Sequence, residues 1–274
     1  MISIFYFTGT GNSLNVAREL QKALAESAVI PMLGYLNPEK HGHFTGTAVF
    51  VFPSYLMTIP YPVRQFLAVN DFTAVEYLAA VSTGQNRNNL CRITVNGLLK
   101  KQRKKLDMYA ETVMPANSPV GLQPTKGDAD WIKKVSGPAL SELLSNNTEL
   151  YKTIAADIAS KVVRPDKKEK IGRRLMEALI SGLSKNNTTV LRYYSDATCT
   201  GCGICAKVCP SDRITVRGKT AEWNKEIKCY YCFACFNSCP QQAIFLKNWT
   251  KKDGRYLNPN IGIGDLFGQK GEEV

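Results

Sequence analysis

The chain has 274 residues, 44% of them hydrophobic and 21% charged, with 20 glycines and 13 prolines. That composition excludes fibrous and disordered classes, and a chain this long buries enough surface to fold without disulfide staples. The formal charge of +12 points to acidic partners. No stretch approaches the roughly 20 consecutive apolar residues needed to span a bilayer. The opening MISIFYF is too short, lacks a basic lead and has no cleavage site, so it is not a signal peptide. The expectation is a soluble cytoplasmic protein. In a reducing compartment nine cysteines read as metal ligands rather than disulfides.

Apolar, non-alternating runs at 2–7, 28–33, 47–53, 77–83 and 108–114 predict strands buried on both faces of a parallel sheet. Helical patterns lie between them at 13–26, 61–68 and 88–106. The stretch 35–46 carries His, Gly and Pro and reads as a loop or a single turn. Five strands with intervening helices predict a doubly wound α/β fold, whose ligands bind beyond the carboxyl ends of the strands.

After the first strand stands Thr8-Gly9-Thr10-Gly11-Asn12-Ser13, leading directly into a helix. Glycines let backbone close on a phosphate while helix N–H groups and hydroxyls donate to it. No lysine follows, and Leu14 holds the place of the last glycine of a dinucleotide fingerprint. A hydroxyl-rich, lysine-free cradle suits a phosphate monoester. The loop resembles the FMN phosphate loop of flavodoxins, and the five-strand pattern agrees. That resemblance implies that two later loops enclose the isoalloxazine. One is Pro53-Ser54-Tyr55-Leu56-Met57-Thr58, with Tyr55 stacking on the ring. The other runs through Ser82, Thr83, Gly84, Gln85 and Asn86, offering N–H groups and amides to the ring edge. Met114-Pro115-Ala116-Asn117 is a further contact candidate.

Residues 131–185 read as helical, with Ile154, Ile158 and Val162 at four-residue spacing and then Ile171, Leu175 and Leu179. The first set completes the α/β layer, and the second belongs to a connecting helix at about 168–185. A domain of residues 1–188 is expected to end near Asn186-Asn187-Thr188-Thr189. Two basic runs, Lys100 to Lys105 and Lys167 to Arg174, sit in helical patterns without interleaved aromatics. They read as solvated faces rather than nucleic-acid contacts. Cys91 reads as a small core residue, and His41 and His43 as a surface-loop pair.

The remaining eight cysteines fall at 199, 202, 205 and 209 and again at 229, 232, 235 and 239, each set reading C-x2-C-x2-C-x3-C-P. Every cysteine of the second set lies 30 residues after its counterpart, which is an internal duplication. Three thiolates spaced by two residues wrap three irons of one 4Fe–4S cluster, and the fourth reaches the other cluster. One cluster is therefore assigned to Cys199, Cys202, Cys205 and Cys239. The other takes Cys229, Cys232, Cys235 and Cys209. Paired CxxC units also bind zinc, but the third cysteine and the CP ending are not what a zinc ribbon needs. Ile204, Val208, Ile214, Ala243 and Ile244 supply an apolar shell, and Gly203 lets backbone approach a sulfide. Tyr230, Tyr231 and Phe233 are placed to pack on the second cluster.

Over residues 190–248 the sequence resembles bacterial-type two-cluster ferredoxins, a small α+β domain assigned to residues 189–250, with 251–274 a C-terminal tail. That segment holds eight Lys/Arg and four Asp/Glu, so two clusters at about −2 each bring it near neutrality. The order of parts resembles fused flavodoxin–ferredoxin proteins, the ferrodoxins, found largely in anaerobic bacteria. The resemblance implies an electron-transfer protein holding FMN and two 4Fe–4S clusters, with an external redox partner. Two other readings stay open: an FMN-dependent reductase of a small molecule, and a ferredoxin fused to a non-flavin binding domain.

Overall fold

The computed structural model describes residues 1–87, 89–118, 137–164, 170–185, 191–247 and 255–271. The five apolar runs become β1 (Ile2–Tyr6), β2 (Ser27–Pro31), β3 (Gly46–Pro53), β4 (Val75–Gly84) and β5 (Met108–Val113). All pair in parallel in the order β2-β1-β3-β4-β5. This is the flavodoxin-like doubly wound order, whose switch point lies between β1 and β3. Right-handed crossovers put α1 (Asn12–Ala23) on one face and α2 (Tyr61–Val69) and α3 (Cys91–Leu99) on the other. Helix α4 (Gly137–Ala159) packs beside α1 and buries Tyr151, Ile154 and Ile158.

The α2 face holds an aromatic cluster. Phe5 and Phe50 stand opposite each other in register. The Phe5 ring lies 5.1 Å from Phe66 and 4.6 Å from Phe44, and Phe72 packs edge-on to Phe50. Such rings contribute packing beyond their buried area.

Several expected boundaries move, each for a local reason. Helix α3 stops at Leu99 and passes through a tight turn at Lys100–Gln102, because Arg103 takes a left-handed conformation at φ 57°. The run Lys100 to Lys105 therefore lies on a turn and loop rather than on a helix. Val162 lies beyond α4, since Lys161 also adopts positive φ, and it is partly exposed rather than part of the buried row. The stretch after β2 forms two tight helical turns, Met32–Leu36 and Pro38–Lys40. His43 has a carboxylate partner that its sequence neighbours do not supply: Nδ1 lies 2.9 Å from Asp71 Oδ2. Helix α5 (Ile171–Lys185) turns Arg173 and Glu177 toward the start and middle of α3, leaving Ile171, Leu175 and Leu179 exposed.

The C-terminal region is built from two short antiparallel pairs. β6 (Tyr193–Ser195) pairs with β9 (Ile244–Leu246), and β7 (Ile214–Arg217) with β8 (Thr220–Trp223). The duplication recurs as two one-turn helices, α6 (Ile204–Lys207) and α7 (Ala234–Asn237). Residues 255–271 then return to the parallel sheet and carry a last helical turn, α8 (Ile263–Phe267). Among the described residues no helix is long and apolar enough to cross a membrane.

Phe66 is fully buried at the centre of the aromatic cluster. Phe66→Ala is expected to cost about 3–5 kcal/mol of stability, read as a lower midpoint in chemical denaturation.

Candidate cofactor sites

The loop between β1 and α1 sits at the switch point, and its form follows from its residues. Gly11 lies at φ 92°, in the left-handed region, where glycine is the unstrained choice. The Thr8 hydroxyl accepts from Gly11 N–H at 3.1 Å, and Ser13 Oγ lies 2.9 Å from Thr83 Oγ1 on β4. The first-turn N–H groups of α1 have no intrahelical acceptors and carry the positive end of the helix dipole. Neither an acidic side chain nor a lysine stands in that turn.

Beside this loop opens a cavity of about 440 Å³, within the range of cofactor sites. Thr8, Gly9, Thr10, Asn12 and Ser13 line its base. Pro53, Ser54, Tyr55 and Leu56 form one wall, and Thr83, Gly84 and Gln85 another. Met114 to Asn117 close a third side. Of the residues expected here, Gly11, Met57, Thr58, Ser82 and Asn86 do not line the cavity. Gly11 turns outward against Ile261 and Asn258.

Tyr55 and Thr58 bond reciprocally, N–H to carbonyl, at 2.9 and 3.0 Å across a tight turn. Leu56 and Met57 both take positive φ there, the two-residue geometry that closes strand-like segments. Ser54 N–H donates to Thr83 carbonyl at 2.7 Å, tying the two ring-side loops together. Behind them Ser82, Asn89 and Tyr109 form a closed triangle of hydrogen bonds of 2.7 to 3.1 Å. Burial holds the Tyr109 phenol well above its usual range, so it stays a donor.

The fourth wall comes from the second cysteine motif. Tyr231 and Phe233, both at positive φ, line the same cavity together with Leu191. Between them Cys232 presses its carbonyl against the loop between β1 and α1: a Cβ at Gly9 would lie 2.4 Å from that oxygen and 2.7 Å from Tyr55 Oη. The Asn117 amide bridges the two parts, donating to Thr10 Oγ1 at 3.2 Å and to Cys232 carbonyl at 3.1 Å. Both hydrogens of that amide are thereby used. Tyr55 Oη is buried without a hydrogen-bond partner, and burial raises its pKa well above the phenol's usual value. Tyr230 instead packs on Phe7 and Tyr61 of the α/β layer, at 6.5 and 5.9 Å between ring centroids.

The cysteines sort into two groups. Cys199, Cys202, Cys205 and Cys239 line one small cavity, with Gly201, Gly203 and Ile244 among its other walls. Gly201 is at φ 77°, and a Cβ there would meet Gly218 carbonyl at 2.2 Å. Cys209, Cys229 and Cys232 cluster around Cys235, whose thiol is raised first by burial and then by their charges. Burial likewise lifts the Cys205 thiol to about 11. A thiolate in such surroundings needs a compensating cation. Val208, Ala243 and Ile244 are buried beside them, as a cluster shell requires. Cys91 is remote from both groups, fully buried, with its thiol lifted to about 12.

Residues 198–244 match the 4Fe-4S dicluster domain family. That stretch is therefore similar to an iron–sulfur domain. No curated protein matches it in sequence. Among the solved structures similar to the chain are two bacterial proteins. Trp repressor binding protein from Bacillus subtilis is 10% identical, with a TM-score of 0.34, over 61% of this chain and 100% of that one. The azoreductase of Bacillus anthracis str. Sterne is 11% identical, also at 0.34, over 57% and 99%.

Sequence reasoning left the tail at 251–274 without a role, yet its described residues, 255–271, pack on the loop between β1 and α1. Asn258 N–H donates to Thr10 carbonyl at 2.8 Å, and Gln269 Oε1 accepts from Thr8 N–H at 3.4 Å. Arg18 of α1 pairs with Asp265 at 2.7 Å. The signal available in sequence was the polar run Asn258-Pro259-Asn260, whose side chains suit caps and turns.

Gly9→Ala is expected to drive the Cys232 loop off the phosphate loop. The overpacking costs about 1–3 kcal/mol and lowers the thermal midpoint by several degrees. Gly97→Ala, on α3 with open space around it, serves as the control and leaves the midpoint level or slightly higher.

Proposed function

We propose that the protein transfers electrons between FMN, held in the cavity at the switch point, two 4Fe–4S clusters held by the eight duplicated cysteines, and an external redox partner. One observation carries this reading. The wall that completes the flavin-sized cavity comes from the second cysteine motif itself, with Tyr231 and Phe233 on either side of Cys232. FMN accepts two electrons and releases them singly, whereas each cluster carries one.

The remaining features describe what the residues do for those groups. The loop Thr8–Ser13 offers hydroxyls, helix N–H groups and the Asn12 amide to a phosphate monoester. The loops Pro53–Leu56 and Thr83–Gln85 flank the ring. Cys199, Cys202, Cys205 and Cys239 hold one cluster, and Cys229, Cys232, Cys235 and Cys209 the other. The lining of the first set's cavity contains no charged side chain, so the ligands themselves dominate its local charge. Tyr231, Phe233 and Leu191 keep water from the side of the flavin cavity that faces the cysteines, and Asn117 holds the two parts in register.

Reduction of a small molecule at the same cavity is the second reading, and Tyr55 favours it. Burial holds its phenol well above the usual value, against a smaller opposing effect of Asn117, so it stays protonated, and a protonated group is one requirement of a proton donor.

Anaerobically purified protein is expected to contain about eight irons, matching acid-labile sulfide and one FMN per chain. Iron without flavin, even after FMN is added, would sink the flavin half. The crossed ligand sets make a sharper forecast. Cys239→Ser should abolish the same electron paramagnetic resonance signal as Cys202→Ser and spare the one lost in Cys229→Ser. A Cys239→Ser spectrum matching that of Cys229→Ser would overturn the assignment.

A further inference from the structure

We infer that the C-terminal strap is part of the phosphate site, with Tyr256 and Asn258 as positioning residues that select phosphorylated flavin over riboflavin. The inference rests on the FMN reading above and concerns a segment with no other role in it.

Asn12 is the pivot. Its amide nitrogen faces Pro115 carbonyl at 3.4 Å. A carbonyl only accepts, so that side of Asn12 must be the NH2 group and the opposite atom its oxygen. Two donors converge on that oxygen: Tyr256 Oη at 2.6 Å and Asn258 Nδ2 at 3.1 Å. With Oδ1 doubly occupied the amide cannot turn over. One NH2 hydrogen goes to Pro115, and no acceptor among the described residues takes the other, on a side chain that lines the cavity. The strap thus presents a fixed side-chain donor at the mouth of a helix N-terminus, where an anion binds best.

The strap is itself anchored. Tyr256 is 1% exposed, and its N–H donates to Asn237 Oδ1 at 3.0 Å. Arg255 lies 3.8 Å over the Phe236 ring. Further on, Asn260 Nδ2 donates to Asn15 Oδ1 at 3.2 Å on α1, and a Cβ at Gly11 would strike Ile261 at 2.9 Å. The strap therefore spans from the helix of the second cysteine motif to the outer face of the phosphate loop. None of its residues lines the cavity, so its influence passes through Asn12 and the loop backbone.

The test uses the full chain with its clusters in place, freed of flavin and titrated with FMN and with riboflavin by fluorescence quenching. Tyr256→Phe keeps the buried ring and removes one donor; Asn258→Ala removes the other. Each is expected to weaken FMN binding roughly tenfold while riboflavin affinity stays level and iron content is unchanged. FMN affinity unchanged in both variants would overturn the proposal. An equal loss for FMN and riboflavin would also overturn it, because the strap would then act on the ring or on the fold at large. Wild-type protein that binds no FMN would sink the underlying reading, and that outcome is seen before any variant is compared.

Discussion

The structure depends on one close contact, the Cys232 carbonyl seated on Gly9. A parallel strand feeding a helix leaves a loop of unsatisfied donors at its carboxyl end. Only a residue without a side chain lets a second backbone approach within van der Waals distance there. Gly9 therefore admits the cysteine module onto the loop between β1 and α1. Because the contact is backbone against backbone, it fixes the second motif relative to β1 closely enough for Tyr231 and Phe233 to become walls of the same cavity.

Around that contact the polar groups form a chain rather than isolated pairs. Asn117 joins Thr10 to Cys232, Asn237 Nδ2 donates to Asn117 carbonyl at 2.9 Å, and Asn237 Oδ1 accepts from Tyr256 N–H. Buried amides of this kind must satisfy both ends, since an unmatched one costs about 1–3 kcal/mol. A network with nearly every donor and acceptor used specifies one arrangement of three segments that are far apart in sequence. Tyr55 Oη, buried against Gly9, is among the polar atoms left without a hydrogen-bond partner.

The charge distribution fits a redox role without defining it. The chain is basic overall, but the cavity wall lined by Cys199 to Cys205 and Cys239 is uncharged. On the proposed reading, negative charge there comes from thiolates and their cofactor. The basic run at Lys100 to Lys105 lies on a turn and loop beyond α3, away from the cysteines in sequence. The exposed apolar row of α5 adds a second surface feature, docked to α3 by Arg173 and Glu177 on its polar side.

Local rules made most of the architecture legible from sequence. The central strands β1, β3 and β4 are buried on both faces and so continuously apolar; the edge strands β2 and β5 were read from the same kind of run but are only partly buried. The cysteine spacing encodes its own geometry, because two intervening residues set the reach of each thiolate. Helix ends were less legible: Arg103 and Lys161 adopt left-handed backbone for which their side chains give no warning. What tertiary structure alone decided is how distant segments meet. No periodicity places Tyr231 and Phe233 in the wall of a cavity more than 200 residues from Thr8 in sequence. Nor does any motif bring Tyr256 and Asn258 onto Asn12. Those contacts are single hydrogen bonds and close backbone approaches, and they leave no repeating pattern in a chain because each is made only once.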